Sequence, residues 1–471
     1  MEKEKLLLLD GGMVITVDAQ RRVLRDGAVL LQGNKIAFVG EREAAHQLIK
    51  KQNLHPEILD TSESVIMPGL VCCHTHLFQS LYRGLGDNLS VLDWCVNMIF
   101  PLSQYLGEEE SYIAGLLAQM ELIRTGTTTF ADSHYIHKDK RAMDGLAKSV
   151  KEMGSRGVLV RAVQSIPFSP SFPTEFLEDK LTIEKELRRC IETYNGTLDG
   201  RLKVVPEAIT DMDVDLDVLK MLHKIGHEYD VGLHMHTAES TGDVAASIDI
   251  RGERAIAFLY ENGILDEGTL LAHCVWATPK ELKYLAKSGA KVAHNPVSNL
   301  MLGDGIAPVP YMLEMGIDVG IGVDGAASNN SQDMFEAMKI CLLQHRGKWT
   351  DANILLPEDV FEMATISSAK ALRMEQEIGS LEVGKKADVT IVGLNQIQMT
   401  PSTKPLSHLV LSANGLNVDT VIIDGEIVLK NKQFTRINER DVLDAANETI
   451  FKMLKRAKLE HLSTDGRFQY I

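Results

Sequence analysis

The 471-residue sequence predicts an α/β fold: a (β/α)8, TIM-like barrel carrying a small β-sandwich domain built from both chain ends. Three observations predict it. Eight apolar, strand-like runs alternate with stretches of helical periodicity between residues 67 and 373. The segments on either side are β-prone, yet neither holds enough strands for a core of its own. Histidines and carboxylates gather where the barrel strands end, the face on which such barrels carry their chemistry.

Residues 1–66 supply the first part of the sandwich. Leu6 to Leu9, Met13 to Val17, Ala28 to Gln32 and Lys35 to Val39 are short β-prone runs separated by Asp10-Gly11, Asp26-Gly27 and Gly33-Asn34 turn signals. Residues 67–373 supply the barrel, a metal-dependent hydrolase barrel on the chemistry below. Its expected strands are Met67–His76, Thr127–Asp132, Gly157–Gln164, Arg201–Ala208, Asp230–His236, Thr269–His273, Ala290–Asn295 and Ile317–Asp324. Apolar periodicity between them, as in Glu109–Arg124 and Val214–His227, suits helices. A doubly wound open sheet is the structural alternative, but no GxGxxG follows the first strand. Residues 374–435 return to β texture, with runs at Ala387 to Val392 and Thr420 to Ile423 and turns at Val383-Gly384 and Asp424-Gly425. Residues 436–471 hold a C-terminal helix and tail. Glu439 to Lys458 reads as one amphipathic packing helix with alternating charge.

The formal charge of -16 argues against a nucleic-acid partner, because phosphate binding rests on clustered Lys and Arg. It leaves room for a small nucleobase-like substrate. No polybasic run suggests a membrane surface. Leu6 to Leu9 is far too short for a secretion signal, and Asp10-Gly11-Gly12 interrupts it. No run approaches the ~20 apolar residues of a membrane span. Six cysteines without a CxxC pair are not a disulfide framework. The cytoplasm is the expected compartment, and a homo-oligomer, dimer or tetramer, is the expected state of a large metabolic enzyme.

Four separated fragments carry the parts of one metal-hydrolysis site: His74-Thr75-His76, His236-Thr-Ala-Glu239, His273 and Asp324. His74 and His76 are two apart in an extended run, so both point to the barrel interior. Three imidazoles and a carboxylate suit a borderline-soft divalent ion such as Zn²⁺ with one position left for water. Glu239, in the turn after His236, can take a proton from that water and deliver it to a leaving group. His234 also points inward by the same period of two. His236 is preferred because Glu239 lies three residues on, leaving His234 deeper in the core. His273 reads either as a further nitrogen ligand or as a neutral histidine bonded to the water. Asp324 ends an apolar run and enters a loop of small residues that lets substrate approach closely.

Other candidates are weighed against plainer roles. His46, His55, His223, His227, His345, His408 and His461 lie in helical or polar contexts and read as surface or core residues. His134 and His137 follow the second strand, with His134 a candidate substrate contact, and His294 ends the seventh. Cys72 and Cys73 read as buried small hydrophobes. Glu207, at the end of the fourth strand, would bridge a second metal, line the pocket and bind substrate, or simply be a surface acid. No GxSxG nucleophile motif is present.

These fragments resemble the amidohydrolase superfamily over essentially the whole chain. Pro68-Gly-Leu-Val-Cys-Cys-His-Thr-His76 is similar to its first-strand signature, and Gly379-Ser-Leu-Glu-Val-Gly-Lys-Lys-Ala-Asp388 to the stretch leading back into its sandwich. His294-Asn-Pro-Val-Ser-Asn299, with Val323-Asp-Gly-Ala-Ala-Ser-Asn-Asn330, resembles the branch of the S-adenosylhomocysteine/5'-methylthioadenosine deaminases and the triazine hydrolases. The resemblance implies that His74, His76, His236 and Asp324 hold one metal, zinc or in some members iron. It implies that Glu239 protonates a ring nitrogen, that His273 orients the attacking hydroxide, and that Asp324 relays a proton to the leaving group. It further implies substrate contacts at Asp93, Trp94 and Arg161. One departure stands out: those deaminases carry a substrate-binding His after the fourth strand, where this chain has Pro206-Glu-Ala-Ile-Thr210.

The function expected is therefore metal-dependent hydrolytic deamination of an aminated N-heterocycle of purine, nucleoside, pterin, pyrimidine or triazine type. The alternatives keep the site and displace chloride or an alkylamine, or open a cyclic amide. A non-enzymatic scaffold fits poorly with a full ligand set.

Overall fold

The apolar run after Gly69 lacks polar alternation, and it forms a strand buried on both faces, β1 (Leu70–His76). Seven strands follow: β2 (Thr127–His134), β3 (Arg156–Val163), β4 (Leu202–Ala208), β5 (Leu233–Thr237), β6 (Thr269–His273), β7 (Lys291–His294) and β8 (Val319–Ile321). They pair in parallel, and their order in the sheet is their order in the chain. Just beyond β8, Asp324 and Gly325 pair with Thr75 and His76 of β1, which closes the sheet on itself. The computed structural model describes residues 5–87, 89–167 and 172–464; the expected tail beyond 464 lies outside them.

Helices cover the outside, among them Glu108–Arg124, Ala142–Met153, Lys180–Tyr194, Leu216–Glu228, Pro279–Ser288 and Met334–Trp349. Pro279–Ser288 shows how sequence sets the ends. The Thr278 hydroxyl accepts from the Glu281 amide, proline takes the first helical position, and Gly289 closes the helix at φ +77°. The inner faces deliver Leu122, Leu146, Leu187, Leu222, Leu285 and Leu342 to one core around the strands.

The sandwich does draw on both chain ends. A four-stranded sheet runs Lys35–Glu41, Gly27–Gln32, Leu6–Asp10, Glu57–Asp60. The second sheet joins Gln433–Phe434, Glu426–Lys430, Val418–Ile423 and Val389–Gly393 to Ser64–Pro68, Met13–Ile15 and Val23–Leu24. The two ends meet where Val389–Gly393 runs antiparallel to Ser64–Pro68. Leu9, Val29, Ile36, Ile66, Val389 and Ile422 fill the space between the sheets.

Two expected strands are each divided. Met67–His76 breaks at Gly69, where an added Cβ would lie 2.2 Å from the Thr128 side chain, so Pro68 ends a sandwich strand and Leu70 begins the barrel. Ile317–Asp324 breaks at Gly322, where a Cβ would lie 2.6 Å from the His74 carbonyl oxygen. Glycine at each point lets the chain pass close to a neighbour. Glu57–Asp60, Glu426–Lys430 and Gln433–Phe434 were not expected as strands; their lone charged or Gln-Phe character hides the pairing that tertiary contact imposes.

Arg156, fully buried at the start of β3, ties the barrel to the sandwich. Its Nε donates to Asp388 at 2.8 Å, and its Nη2 reaches Asp388 at 3.0 Å and Asp424 at 3.1 Å. The C-terminal helix spans Glu439–Ala457, and Arg124 bonds both oxygens of Glu439. No helix among the described residues is long and apolar enough to cross a membrane.

Candidate active site

His76 is the last residue of β1, His236 lies at the end of β5, His273 ends β6, and Asp324 follows β8. All four therefore stand on the carboxyl face of the barrel. Their ring nitrogens and carboxylate converge. Asp324 Oδ1 lies 3.1 Å from His76 Nε2 and 3.4 Å from His74 Nε2, and His76 Nε2 lies 3.3 Å from His236 Nε2. Asp324 holds this place at φ +59°, and His273 stands at φ +73°. Such left-handed backbone is uncommon outside glycine and clusters at functional sites.

Hydrogen bonds behind the rings set their tautomers. His76 Nδ1 donates to the Ser133 carbonyl at 2.6 Å, and His236 Nδ1 to the Ile209 carbonyl at 3.1 Å. His74 Nδ1 donates to His234 Nε2 at 3.2 Å, and His234 Nδ1 donates to Glu207 Oε1 at 2.9 Å. Each of the three inner histidines thus turns an Nε2 lone pair toward the centre. His74 Nε2 and Asp324 Oδ1 are buried and lack a hydrogen-bond partner. Buried polar atoms are rarely left so. The donor set fits one divalent ion, which His74, His76, His236 and Asp324 could hold. The other oxygen of Asp324 accepts from Ser298 at 2.5 Å and Ser328 at 3.2 Å, which fixes the carboxylate plane.

His273 is arranged differently. Asn299 Nδ2 donates to its Nδ1 at 2.9 Å, and Asn295 Nδ2 lies at 3.2 Å. Burial pushes the imidazolium down to about 3, so the ring is neutral at pH 7 with its proton on Nε2. Glu239 Oε1 lies 3.6 Å from His273 Nδ1. Burial, reinforced by the charges of Asp304, Asp243 and Asp324, raises the Glu239 carboxyl well above the usual carboxylate range.

These groups open onto a cavity of about 310 Å³ lined by His76, His236, Glu239, His273 and Asp324 together with Trp94, Phe100, Tyr135, Met212 and Leu302. Of the expected substrate contacts, Trp94 lines it. The others do not. Asp93 is exposed and bonds Ser90 at the start of its helix. Arg161 is buried and engages both oxygens of Glu178. His134 is buried against Phe78 and His137. Glu207 lies beneath the histidines, with Ser133 Oγ donating to its Oε2 at 2.6 Å. Gln164, Thr210, Asp213 and Asp243, which line the cavity, were not singled out from sequence. Gln164, Thr210 and Asp213 sit in loops after β3 and β4, and Asp243 in the first turn of the helix Thr241–Arg251 after β5, where no periodicity marks direction. Asn295 and Asn299 were signalled only by their neighbourhood to His294.

The matches to known proteins agree with this geometry. Residues 65–428 match the model of the amidohydrolase family. The chain is 34% identical over 436 residues, 92% of this chain and 95% of the other, to a 5'-deoxyadenosine deaminase of Methanobrevibacter smithii. It is 35% identical over 429 residues, 91% of this chain and 95% of the other, to a 5-methylthioadenosine/S-adenosylhomocysteine deaminase of Desulforudis audaxviator. A zinc-bound adenosine deaminase from Xanthomonas campestris superposes with a TM-score of 0.88 at 26% identity, covering 95% of this chain and 98% of that one.

Proposed function

The chain belongs to the amidohydrolase family, and from that premise we propose that it is a hydrolytic deaminase of an adenosine-type nucleoside, releasing ammonia from the aminated ring carbon. The observation that carries the proposal is the convergence of three histidine Nε2 atoms and Asp324 Oδ1 at a cavity that also holds Glu239, whose carboxyl is raised well above the usual carboxylate range.

His74, His76, His236 and Asp324 would hold the metal, Zn²⁺ in our reading with Fe²⁺ as the alternative. A divalent ion bound there would lower the pKa of water toward neutrality and so supply hydroxide at pH 7. Glu239 gives its carboxyl proton to the ring nitrogen beside the amine-bearing carbon, which makes that carbon electrophilic. His273, neutral and protonated on Nε2, donates to the attacking oxygen and orients it, so it is a hydrogen-bonding partner and not a ligand. Asp324 takes up the proton released from water and passes it to the amino group, which departs as ammonia. As ammonia departs, the hydroxyl proton of the adduct returns to Glu239 and leaves a ring carbonyl, so water enters, ammonia leaves and both carboxyl groups regain their starting states. Trp94 and Phe100 line the cavity and give a planar ring apolar surface to pack against.

Zn²⁺-replete protein should release ammonia from adenosine, 5'-deoxyadenosine, 5'-methylthioadenosine or S-adenosylhomocysteine, and far less from aminopterins, aminopyrimidines or aminotriazines. His236→Ala should lose both the metal and the turnover. Chloride or alkylamine release from triazines without ammonia from any nucleoside would overturn the proposal in favour of the triazine-hydrolase reading.

A further inference from the structure

On the opposite face of the barrel a second set of donor atoms comes together. Helix Leu216–Glu228 runs back from the carboxyl face, so its last turns lie near the entry to β6. His223 and His227 are four apart and share one side of that helix. His227 Nε2 lies 2.7 Å and His223 Nε2 2.8 Å from the same oxygen, Asp266 Oδ2, and the two nitrogens lie 3.2 Å apart.

We propose that His223, His227 and Asp266 form a second, peripheral site for a divalent transition-metal ion such as Zn²⁺ or Ni²⁺, distinct from the catalytic centre. The donor types are those of borderline ions, and a pair of histidines four apart on a helix is a recognised way of presenting two nitrogens to one zinc. Metal–nitrogen bonds of ~2.0–2.1 Å imply ligand–ligand edges of about 3.3 Å in a tetrahedron. The observed triangle is slightly smaller, so a small opening of the side chains would seat the ion.

The carboxylate is already fixed for the task. Gly268 N donates to Asp266 Oδ1 at 2.8 Å, and the Thr269 hydroxyl approaches the same oxygen at 3.3 Å, so Oδ2 is left to the histidines. The trio borders an open cleft of about 580 Å³, with room for water to complete the coordination. The cations of that cleft have partners of their own: Arg373 bonds Asp230, Lys370 pairs with Asp318, and Lys291 donates to the Glu267 carbonyl. An ion there would clamp the helix to the loop that leads into β6.

The test is a metal count on the full chain without a polyhistidine tag, stripped with chelator and then dialysed against Zn²⁺ and, separately, Ni²⁺. The wild type should hold one equivalent more than His227→Ala, and His236→Ala should lose the other equivalent. His227 is well exposed, so its replacement leaves the fold intact. Melting temperature supplies a second readout: saturating Zn²⁺ should raise it more in the wild type than in His227→Ala. Equal metal content and equal shifts in the two proteins would overturn the proposal, leaving Asp266 as a hydrogen-bond acceptor only. Equal metal content in the wild type and His236→Ala would instead count against the catalytic reading, so the two failures are distinguishable.

Discussion

His74 Nδ1 lies 3.2 Å from His234 Nε2, although the two residues are 160 positions apart. Through that contact the first strand of the barrel is bonded to the fifth. His234 in turn donates to Glu207, so a buried carboxylate stands two hydrogen bonds behind a ring that faces the proposed metal. Such partners orient a ligating imidazole and raise its basicity.

Glu207→Gln should therefore weaken metal binding while leaving the cavity lining intact. Loss of an outer partner of this kind costs roughly 10–100-fold in metal affinity. Competition with a chromophoric chelator measures it. Unchanged affinity would show that Glu207 is a passive core acid.

Glu239→Gln should retain a full equivalent of metal and lose turnover by about 10²–10⁴-fold, the usual contribution of a positioned general acid. Burial and neighbouring charges raise the Glu239 carboxyl well above the usual carboxylate range, which favours its protonated form. As pH rises through that raised value the proton is lost, and kcat should fall on the alkaline side. A pH–rate profile with no alkaline limb, or a variant with near-normal kcat, would refute the proton-donor role.

Asp213 lines the cavity, and burial pushes its carboxyl up to about 7 from an ordinary value of 3.8. The folded protein keeps this proton over a range in which the unfolded chain has released it. The folded state then binds more protons than the unfolded one, so stability falls as pH rises between about 4 and 7. Asp213→Asn, which mimics the protonated acid, should raise the melting temperature at pH 8 and matter progressively less toward pH 5. A pH-independent difference would contradict the linkage.

Arg156→Met should destabilise the protein by about 3–5 kcal/mol, because Asp388 would keep a buried charge without its ion-pair partner and Asp424 would be left to Lys386 and Arg201. Denaturant unfolding gives the loss. Activity per folded molecule should hardly change, since Arg156 sits at the amino end of β3, away from the cavity.

Much of the barrel was legible because a strand buried on both faces must be apolar along its length, as in Leu70–Cys73 and Leu270–Ala272. Divisions at Gly69 and Gly322 were not legible. Each depends on how near another strand passes, and glycine in an apolar run does not announce its neighbour. The substrate side was read least well: Asp93 and Arg161 follow family position, yet one is spent on a helix start and the other on Glu178.

By itself the sequence determined the chemical inventory and its spacing along each strand. Alternation by two forces His74 with His76, and His234 with His236, onto one face. Only the tertiary structure decided which member of the second pair reaches the cavity. The two differ by two residues, about 7 Å of strand, and what lies at each depth belongs to other strands. Tautomer was decided the same way, because the ring nitrogen that carries the proton is the one with an acceptor within about 3 Å. Ser133, Ile209 and the Glu207–His234 pair are acceptors of that kind, and the fold alone brings them there.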